Sequence, residues 1–320
     1  MLSGRAPGRT IQTSGGVHQP KLPIMSQPIS FGPVTVFPGD KNGKYPDGNQ
    51  VLVRGREALA AFDTPLSTFL QPERLNGVDL VILGHVHEDH VCALGQIPHV
   101  PVHAPEEDAP ALRSLDGLMD HYGYGPDVTA IMRRHVREHF HFAPRPDASG
   151  YRDAQVWDLG GVTVHAWHMP GHTGGHSVLL VEPDGIAFIG DIDLSGFGPY
   201  YGDACSDLAR FLVTLERMQS LPAKVWITSH HKGVVTEAGQ MRTLLARFRE
   251  RIFEREKAIA QALMGGGKTL AELVAQRFLY PPGYHEIFVD DVEAKTIREH
   301  LKLLIAGGKV VEEGGRFRAA

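Results

Sequence analysis

Short apolar runs separated by glycine, proline and asparagine fill the first three quarters of the chain. Residues 34–37, 50–53 and 59–62 read as strands, the first two divided by the turn-rich stretch PGDKNGKYPDGN. The run DLVIL at 79–83 lies between Gly77 and Gly84, as a buried strand would. From about 105 to 146 the period changes to that of a helix, with Leu112, Leu115, Leu118 and Met119 spaced by three and four. The tract 127–140 continues it after Gly123-Tyr124-Gly125-Pro126. Strand patterns return at 155–159, 162–168, 177–182, 186–189 and 225–228. A helix at 206–219 gathers Leu208, Phe211, Leu212 and Leu215 on one face.

After Gly239 the character changes again. Helices are predicted at 241–264 and 292–305, with a weaker one at 270–278, and GGKVVEEGGRFRAA reads as a hairpin. The pattern therefore predicts three parts: an extension at 1–25, a main domain at 26–240 with a helical insert at about 105–146, and a small helical C-terminal domain at 241–320. If the last part is separate, removing it leaves the main domain assembled.

Composition narrows the class. Of 320 residues, 42% are hydrophobic and 22% charged, the usage of a soluble globular protein. A net charge of -5 gives no surface built for phosphates and leans against nucleic acid. Two cysteines, Cys92 and Cys205, exclude a disulfide framework and point to the cytoplasm. No apolar run reaches the length of a membrane span. Residues 1–25 are basic, lack acidic residues and are rich in Gly, Ser and Pro, which predicts a disordered extension, with Met25 as an alternative start. Histidine stands out, with 18 copies.

The sharpest concentration of histidine is His85-Val86-His87-Glu88-Asp89-His90, directly behind the 79–83 strand. Alternate residues at a strand end point His85 and His87 the same way, and the turn that follows carries Asp89 and His90 to a second point. Imidazole and carboxylate together suit zinc, iron or manganese. Three later strand ends each carry one more ligand-type side chain: His172 after Met169-Pro170-Gly171, Asp191 after Phe188-Ile189-Gly190, and His230 after Thr228-Ser229. Alone, these read as a turn residue, a helix cap and an ordinary histidine. Behind the first motif they read as a metal site.

HVHEDH resembles the HxHxDH signature of the metallo-β-lactamase superfamily, and GHTGGHS, FIGD and TSHH resemble its later ligand motifs in the same order. The resemblance covers roughly residues 30–235. It implies a four-layer αββα sandwich with two metal ions. His85, His87 and His172 would hold the first ion and Asp89, His90 and His230 the second, with Asp191 bridging. Zinc is the expected metal, iron or manganese the alternatives. His231 stands beside His230 and is the competing choice. Asp63 resembles an early aspartate of the family that orients a ligand histidine, although Pro65 follows where the family has glycine. Cys92 is read as packing and His176 as structural. The C-terminal part resembles the winged-helix tail of the superfamily's endoribonuclease branch.

Two ions can supply hydroxide at neutral pH and stabilise charge on attacking and leaving groups. The expected reaction is hydrolysis, with a metal-bridging hydroxide oriented by Asp89. Tyr200 or Tyr201, in GFGPYYG, would donate to the developing oxyanion. The insert, with His121, Tyr122, His135, His139 and His141, could cover the site and so favour a small substrate. A thioester or lactone is preferred over a β-lactam. The rival reading is an endoribonuclease using the C-terminal domain to bind RNA. Helix 292–305, however, mixes Lys295, Arg298 and Lys302 with Glu293 and Glu299, a solvated face rather than a phosphate track. The tail could instead mediate a homodimer. A non-catalytic scaffold is disfavoured because every ligand position is filled.

Overall fold

The computed structural model describes residues 27–320; the expected extension at 1–25 lies outside the described residues. Among these, the strands form two mixed sheets and a C-terminal hairpin. The first sheet runs in chain order through β1 (Ile29–Phe31), β2 (Val34–Phe37), β3 (Gln50–Arg54), β4 (Leu59–Phe62), β5 (Leu80–Ile82), β6 (Val102–Pro105) and β7 (Ser149–Tyr151). The second comprises β8 (Val156–Asp158), β9 (Thr163–His168), β10 (Ser177–Glu182), β11 (Ile186–Gly190), β12 (Val225–Thr228) and β13 (Val234–Val235), in the spatial order β13-β12-β11-β10-β9-β8.

Period-two alternation explains the layering. Along β4, Ala60 and Phe62 face the second sheet while Ala61 faces outward, and along β5 Ile82 faces inward while Val81 faces outward. Between the sheets, Val51, Phe62, Leu179 and Phe188 share one buried cluster. Outside the first sheet pack α1 (Leu66–Phe69), through Phe69, and α2 (Ala109–Arg113), α3 (Leu115–Tyr122) and α4 (Pro126–His139). Outside the second pack α5 (Leu208–Arg217) and the first half of α6 (Ala238–Leu263). The result is the αββα sandwich the resemblance implies.

The helices of the segment at 105–146 pack as the outer layer of the first sheet. Its helices break where local chemistry demands it. Ser114 caps α3 by accepting from the Gly117 N–H, and Gly123 ends that helix at a φ of 68°.

The C-terminal part is α7 (Leu270–Val274), α8 (Val289–Ala306), β14 (Val310–Glu313) and β15 (Arg316–Ala319), with Lys268 bridging to Phe317. It has a core of its own, in which Leu273, Ile297 and Leu301 meet Ile259 and Leu263 of α6. Helix α6 thus belongs to two cores. Met241, Leu245, Phe248 and Ile252 seal the sandwich, and only its last turns belong to the tail. A cut at residue 240 would pass through the sandwich. Among the described residues no helix is long and apolar enough to cross a membrane.

Candidate metal centre

Strand direction brings the donors to one edge. β4 and β5 run parallel, as do β11 and β12, and β9 points the same way as β11 because β10 is antiparallel to both. Their C-terminal ends therefore emerge together, which is where Asp63, His85, His172, Asp191 and His230 stand. The sheets are stitched at this edge by the Ser177 N–H donating to the Gly84 carbonyl at 2.8 Å.

His85, His87, His172 and Asp191 form one group of converging donor atoms, and Asp89, His90 and His230 form another, each spanning no more than 4.8 Å. His172 Nε2 lies 3.1 Å from His87 Nδ1 and 3.3 Å from Asp191 Oδ2. Asp191 Oδ1 lies 3.3 Å from His90 Nε2 and 3.5 Å from His230 Nε2, so one aspartate turns an oxygen to each group. Asp89 Oδ2 is 3.2 Å from His230 Nε2. The turn that follows His87 is a single 3-10 turn, Glu88–His90, which brings Asp89 and His90 to His230 while the His90 ring stays 4.1 Å from that of His85.

The opposite nitrogen of three of these rings is hydrogen-bonded, and that of a fourth, His87, faces a carboxylate. His172 Nδ1 donates to the Tyr200 carbonyl at 3.0 Å, and His230 Nδ1 to the carbonyls of Gly43 and Asp47 at 2.7 and 2.9 Å. His90 Nδ1 lies 2.6 Å from Asp63 Oδ2, and His87 Nε2 lies 3.1 Å from Asp203 Oδ2. A ring whose outer nitrogen faces an acceptor carries its proton there and turns its lone pair inward. Inside, His85 Nε2, His90 Nε2 and Asp191 Oδ1 are buried without a hydrogen-bond partner. Buried orphan donors and acceptors that all point at a common space are what a cation satisfies, and the nitrogen and oxygen set suits zinc, iron or manganese.

Electrostatics agree with that reading. Burial pulls the His230 imidazole down, but Asp191 and Asp89 outweigh it and raise it to about 10. Burial likewise opposes, and Asp203 overcomes, a shift that carries His87 up to about 9. Burial would raise the Asp191 carboxyl, yet His230, His90, His85 and His172 hold it well below the usual carboxylate range. The carboxylates thus favour positive charge at His230 and His87, whereas burial and the neighbouring His90 push the His85 imidazole down.

Local backbone chemistry serves these placements. Gly171 adopts a φ of 137°, and a Cβ there would sit 2.3 Å from the Phe211 backbone, so the turn that delivers His172 needs glycine. His176 donates from Nδ1 to the Met169 carbonyl at 3.0 Å and accepts the Asp191 N–H on Nε2 at 3.2 Å. Burial drives its imidazole down to about 3, so it stays neutral and can accept. It steadies Asp191 rather than joining the donors.

The structure brings together all seven ligand-type residues read from the sequence and separates the two tyrosines. The Tyr200 ring lies 5.7 Å from that of His172, with its hydroxyl donating to Asp203 at 3.0 Å. Tyr201 is buried and turned away, its hydroxyl 2.8 Å from His300 Nε2 on α8. Of the two tyrosines expected to donate to an oxyanion, Tyr200 is the one whose ring lies beside a donor histidine. His231 is turned outward, 33% exposed, with Nε2 3.5 Å from Asp193. Cys92 is buried, donates from Sγ to the Glu88 carbonyl at 3.3 Å, and is held as a thiol by burial. Of the insert's histidines, His121 is buried beside His87 with ring centres 5.7 Å apart.

Three positioning carboxylates went unread in the sequence. Asp203 accepts from the Tyr124 and Tyr200 hydroxyls and faces His87. Asp108 accepts from the Thr173 hydroxyl at 2.6 Å, the Gly175 N–H at 2.8 Å and the Val86 N–H, joining the two histidine loops. Glu88 is buried and accepts from the Tyr45 and Tyr122 hydroxyls. Asp203 and Asp108 sit in unremarkable loops. Glu88 occupies a free position of the signature, and its partners come from distant segments.

Residues 48–230 match the Metallo-beta-lactamase superfamily. The chain belongs to that superfamily. Among curated proteins it resembles an atrochrysone carboxyl ACP thioesterase of Claviceps purpurea (strain 20.1), 30% identical over 45% of this chain and 44% of that one. A protein of the same description from Pseudocercospora fijiensis (strain CIRAD86) is 26% identical over 60% of this chain and 56% of its own. The chain thus matches about half the length of these relatives. Among solved structures, a metallo-beta-lactamase family protein from Thermus thermophilus superposes with a TM-score of 0.67 over 91% of this chain and 99% of its own, at 23% identity. A beta-lactamase domain protein from Burkholderia ambifaria gives 0.68 over 94% and 96%, at 19% identity. Those two likenesses speak to the fold.

Replacing Asp203 with alanine is expected to weaken metal binding about 10–100-fold by freeing the His87 ring. Titration with a chelator in competition reads this directly, and unchanged affinity would remove Asp203 from the site. His230→Ala is expected to lower metal content and turnover while His231→Ala leaves both near normal; the reverse pattern would show that His231 is the ligand.

Proposed function

We propose that the chain is a metal-dependent hydrolase of small acyl thioesters. The observation that carries the reading is the pair of converging donor groups with Asp191 turned to both. His85, His87 and His172 would hold one divalent ion and Asp89, His90 and His230 the other. Ions so held supply Lewis acidity and make water acidic enough to act as hydroxide at neutral pH.

The protein's own part is orientation. Asp63 and Asp203, with the Tyr200, Gly43 and Asp47 carbonyls, fix the imidazoles before any ligand arrives. Preorganised donors incur no reorganisation cost as charge develops. Asp89, with one oxygen toward His230, keeps a second 3.5 Å from His90 and is placed to orient a nucleophilic water. The names of the two thioesterase relatives favour a thioester over a lactone. Against RNA, Lys295 and Lys302 both bond Glu299 at 2.8 and 2.6 Å, so the basic side chains of α8 are partly neutralised within their own helix.

The test is a parallel assay of metal per chain and of hydrolysis of acyl thioesters, lactones and single-stranded RNA. Thioester cleavage that stops on chelation and returns with added zinc or manganese is the expected result. RNA cleavage alone would overturn it in favour of the nuclease.

A further inference from the structure

A third group of donors shares His87 with the first. One ring nitrogen each from His87 and His121 and the Cys205 sulfur lie within 4.8 Å of one another. His121 stands in the last turn of α3, and Cys205 in the loop between β11 and α5. The two segments are stitched backbone to backbone. The Cys205 N–H donates to the His121 carbonyl at 3.1 Å, and the Ala204 N–H to the Tyr122 carbonyl at 2.9 Å. That pairing fixes the histidine and the cysteine relative to each other before any ligand arrives.

The shared ring has a nitrogen for each group. His87 Nδ1 lies 3.1 Å from His172 Nε2, inside the first group, whereas Nε2 lies 3.1 Å from Asp203 Oδ2, in the same loop as Cys205. The nitrogen on the Asp203 side is the one left for another ion. His121 supplies an independent sign of a ligand. It is 8% exposed, and its Nε2 is buried with no hydrogen-bond partner among the described residues. A buried ring nitrogen without a partner is destabilising unless something satisfies it. Around this one stand a second imidazole, with ring centres 5.7 Å apart, and a thiol.

The donor types indicate the ligand. Two imidazoles and a thiolate suit a thiophilic ion such as zinc, cadmium or copper(I), whereas the other two groups offer only nitrogen and oxygen. Zinc bonds of about 2.0–2.3 Å put tetrahedral donors about 3.3–3.6 Å apart, so the group needs to close by roughly 1 Å to hold one ion. Cys205 is half-buried, which leaves the ion an approach from the sulfur side. We propose that His121 and Cys205, with the outer nitrogen of His87, form an accessory site for one thiophilic metal ion, joined to the hydrolytic centre through the shared imidazole. Binding replaces the thiol proton of Cys205 and the Nε2 proton of His87, and both leave to solvent. The site does not depend on which bond the hydrolytic centre cleaves.

The experiment titrates cadmium into the full chain as purified and follows the ultraviolet charge-transfer absorption of a cadmium–thiolate bond. Metal content and melting temperature are measured alongside. The chain has two cysteines, so such a band arises from Cys205 or Cys92. It is expected in wild type and in Cys92→Ser and absent in Cys205→Ser. In His121→Phe it is expected to need about tenfold more cadmium or beyond. No band in wild type, a band that survives in Cys205→Ser, or equal cadmium affinity in wild type and His121→Phe overturns the proposal. If His121→Phe does not melt cooperatively, His121→Gln takes its place. Loss of all bound metal in Cys205→Ser at an unchanged melting temperature would place the thiol in the hydrolytic centre and also overturns it.

Discussion

Asp89→Ala is expected to abolish thioester turnover, with a loss of about a thousandfold or more, and to lower the metal content per chain. Asp89 is buried between two imidazoles, with Oδ2 3.2 Å from His230 Nε2 and Oδ1 3.5 Å from His90 Nε2. Removing it deletes one donor of the three-residue group and leaves His90 and His230 with Asp191 as the carboxylate they face. It also takes away the group proposed to orient water, a role that alone would be worth about 10²–10⁴ in rate. Asp89→Asn separates the effects, because the amide keeps the shape and one acceptor oxygen but not the charge. Metal analysis and kcat at saturating zinc are the measurements. Wild-type turnover in Asp89→Ala would sink the assigned role.

The second large effect concerns residues 241–320. A separate C-terminal domain would leave the metal site assembled on removal, as the composition shift near residue 240 suggests. The geometry leads to the opposite expectation: the truncated chain does not reach a stable fold and binds no metal specifically. Met241, Leu245, Phe248 and Ile252 belong to the outer core of the second sheet. Losing each large buried side chain costs about 2–5 kcal/mol, against a total stability of about 5–15 kcal/mol. The loop that carries Asp191, Tyr200 and Asp203 also rests on the tail. Arg255, buried, donates to the carbonyls of Phe197 and Pro199, both at 2.5 Å, and Glu299 accepts the Leu208 N–H at 3.2 Å. Thermal melting and metal analysis of a chain ending at 240 test this. A cooperative melt with two bound ions would restore the separate domain. A cut after residue 264 is the milder comparison, because it keeps the whole of α6 and with it Arg255.

How far the sequence led differs by level. Elements were legible where one physical signal dominated. Residues 59–62, 177–182 and 225–228 are bounded as the apolar runs predict, because a buried strand needs only a short apolar stretch and a turn on each side. β1, β7 and β13 were not legible. They are edge or near-edge strands of two or three residues, and their pairing depends on context beyond their own few residues.

The donor residues were legible for a related reason. A ligand at a strand end is named by local sequence, and HVHEDH places four of them within six residues. What the chain order could not convey is which nitrogen of each ring faces inward. That depends on Asp63, Asp203 and the carbonyls of Tyr200, Gly43 and Asp47, groups up to 187 positions away from the ring they hold. The same limit explains the tyrosines. GFGPYYG offers both equally, and only the packing of Tyr201 against His300 leaves Tyr200 as the one beside the site.

Sequence by itself determined the layered α/β class, the superfamily and the residues able to hold metal, because each is written in short-range patterns. Tertiary structure alone decided that α6 belongs to two cores and that the helices of the insert form a layer on the first sheet. Those facts depend on contacts between segments far apart along the chain. Such contacts are set by how whole surfaces fit together, and no local period or motif encodes them.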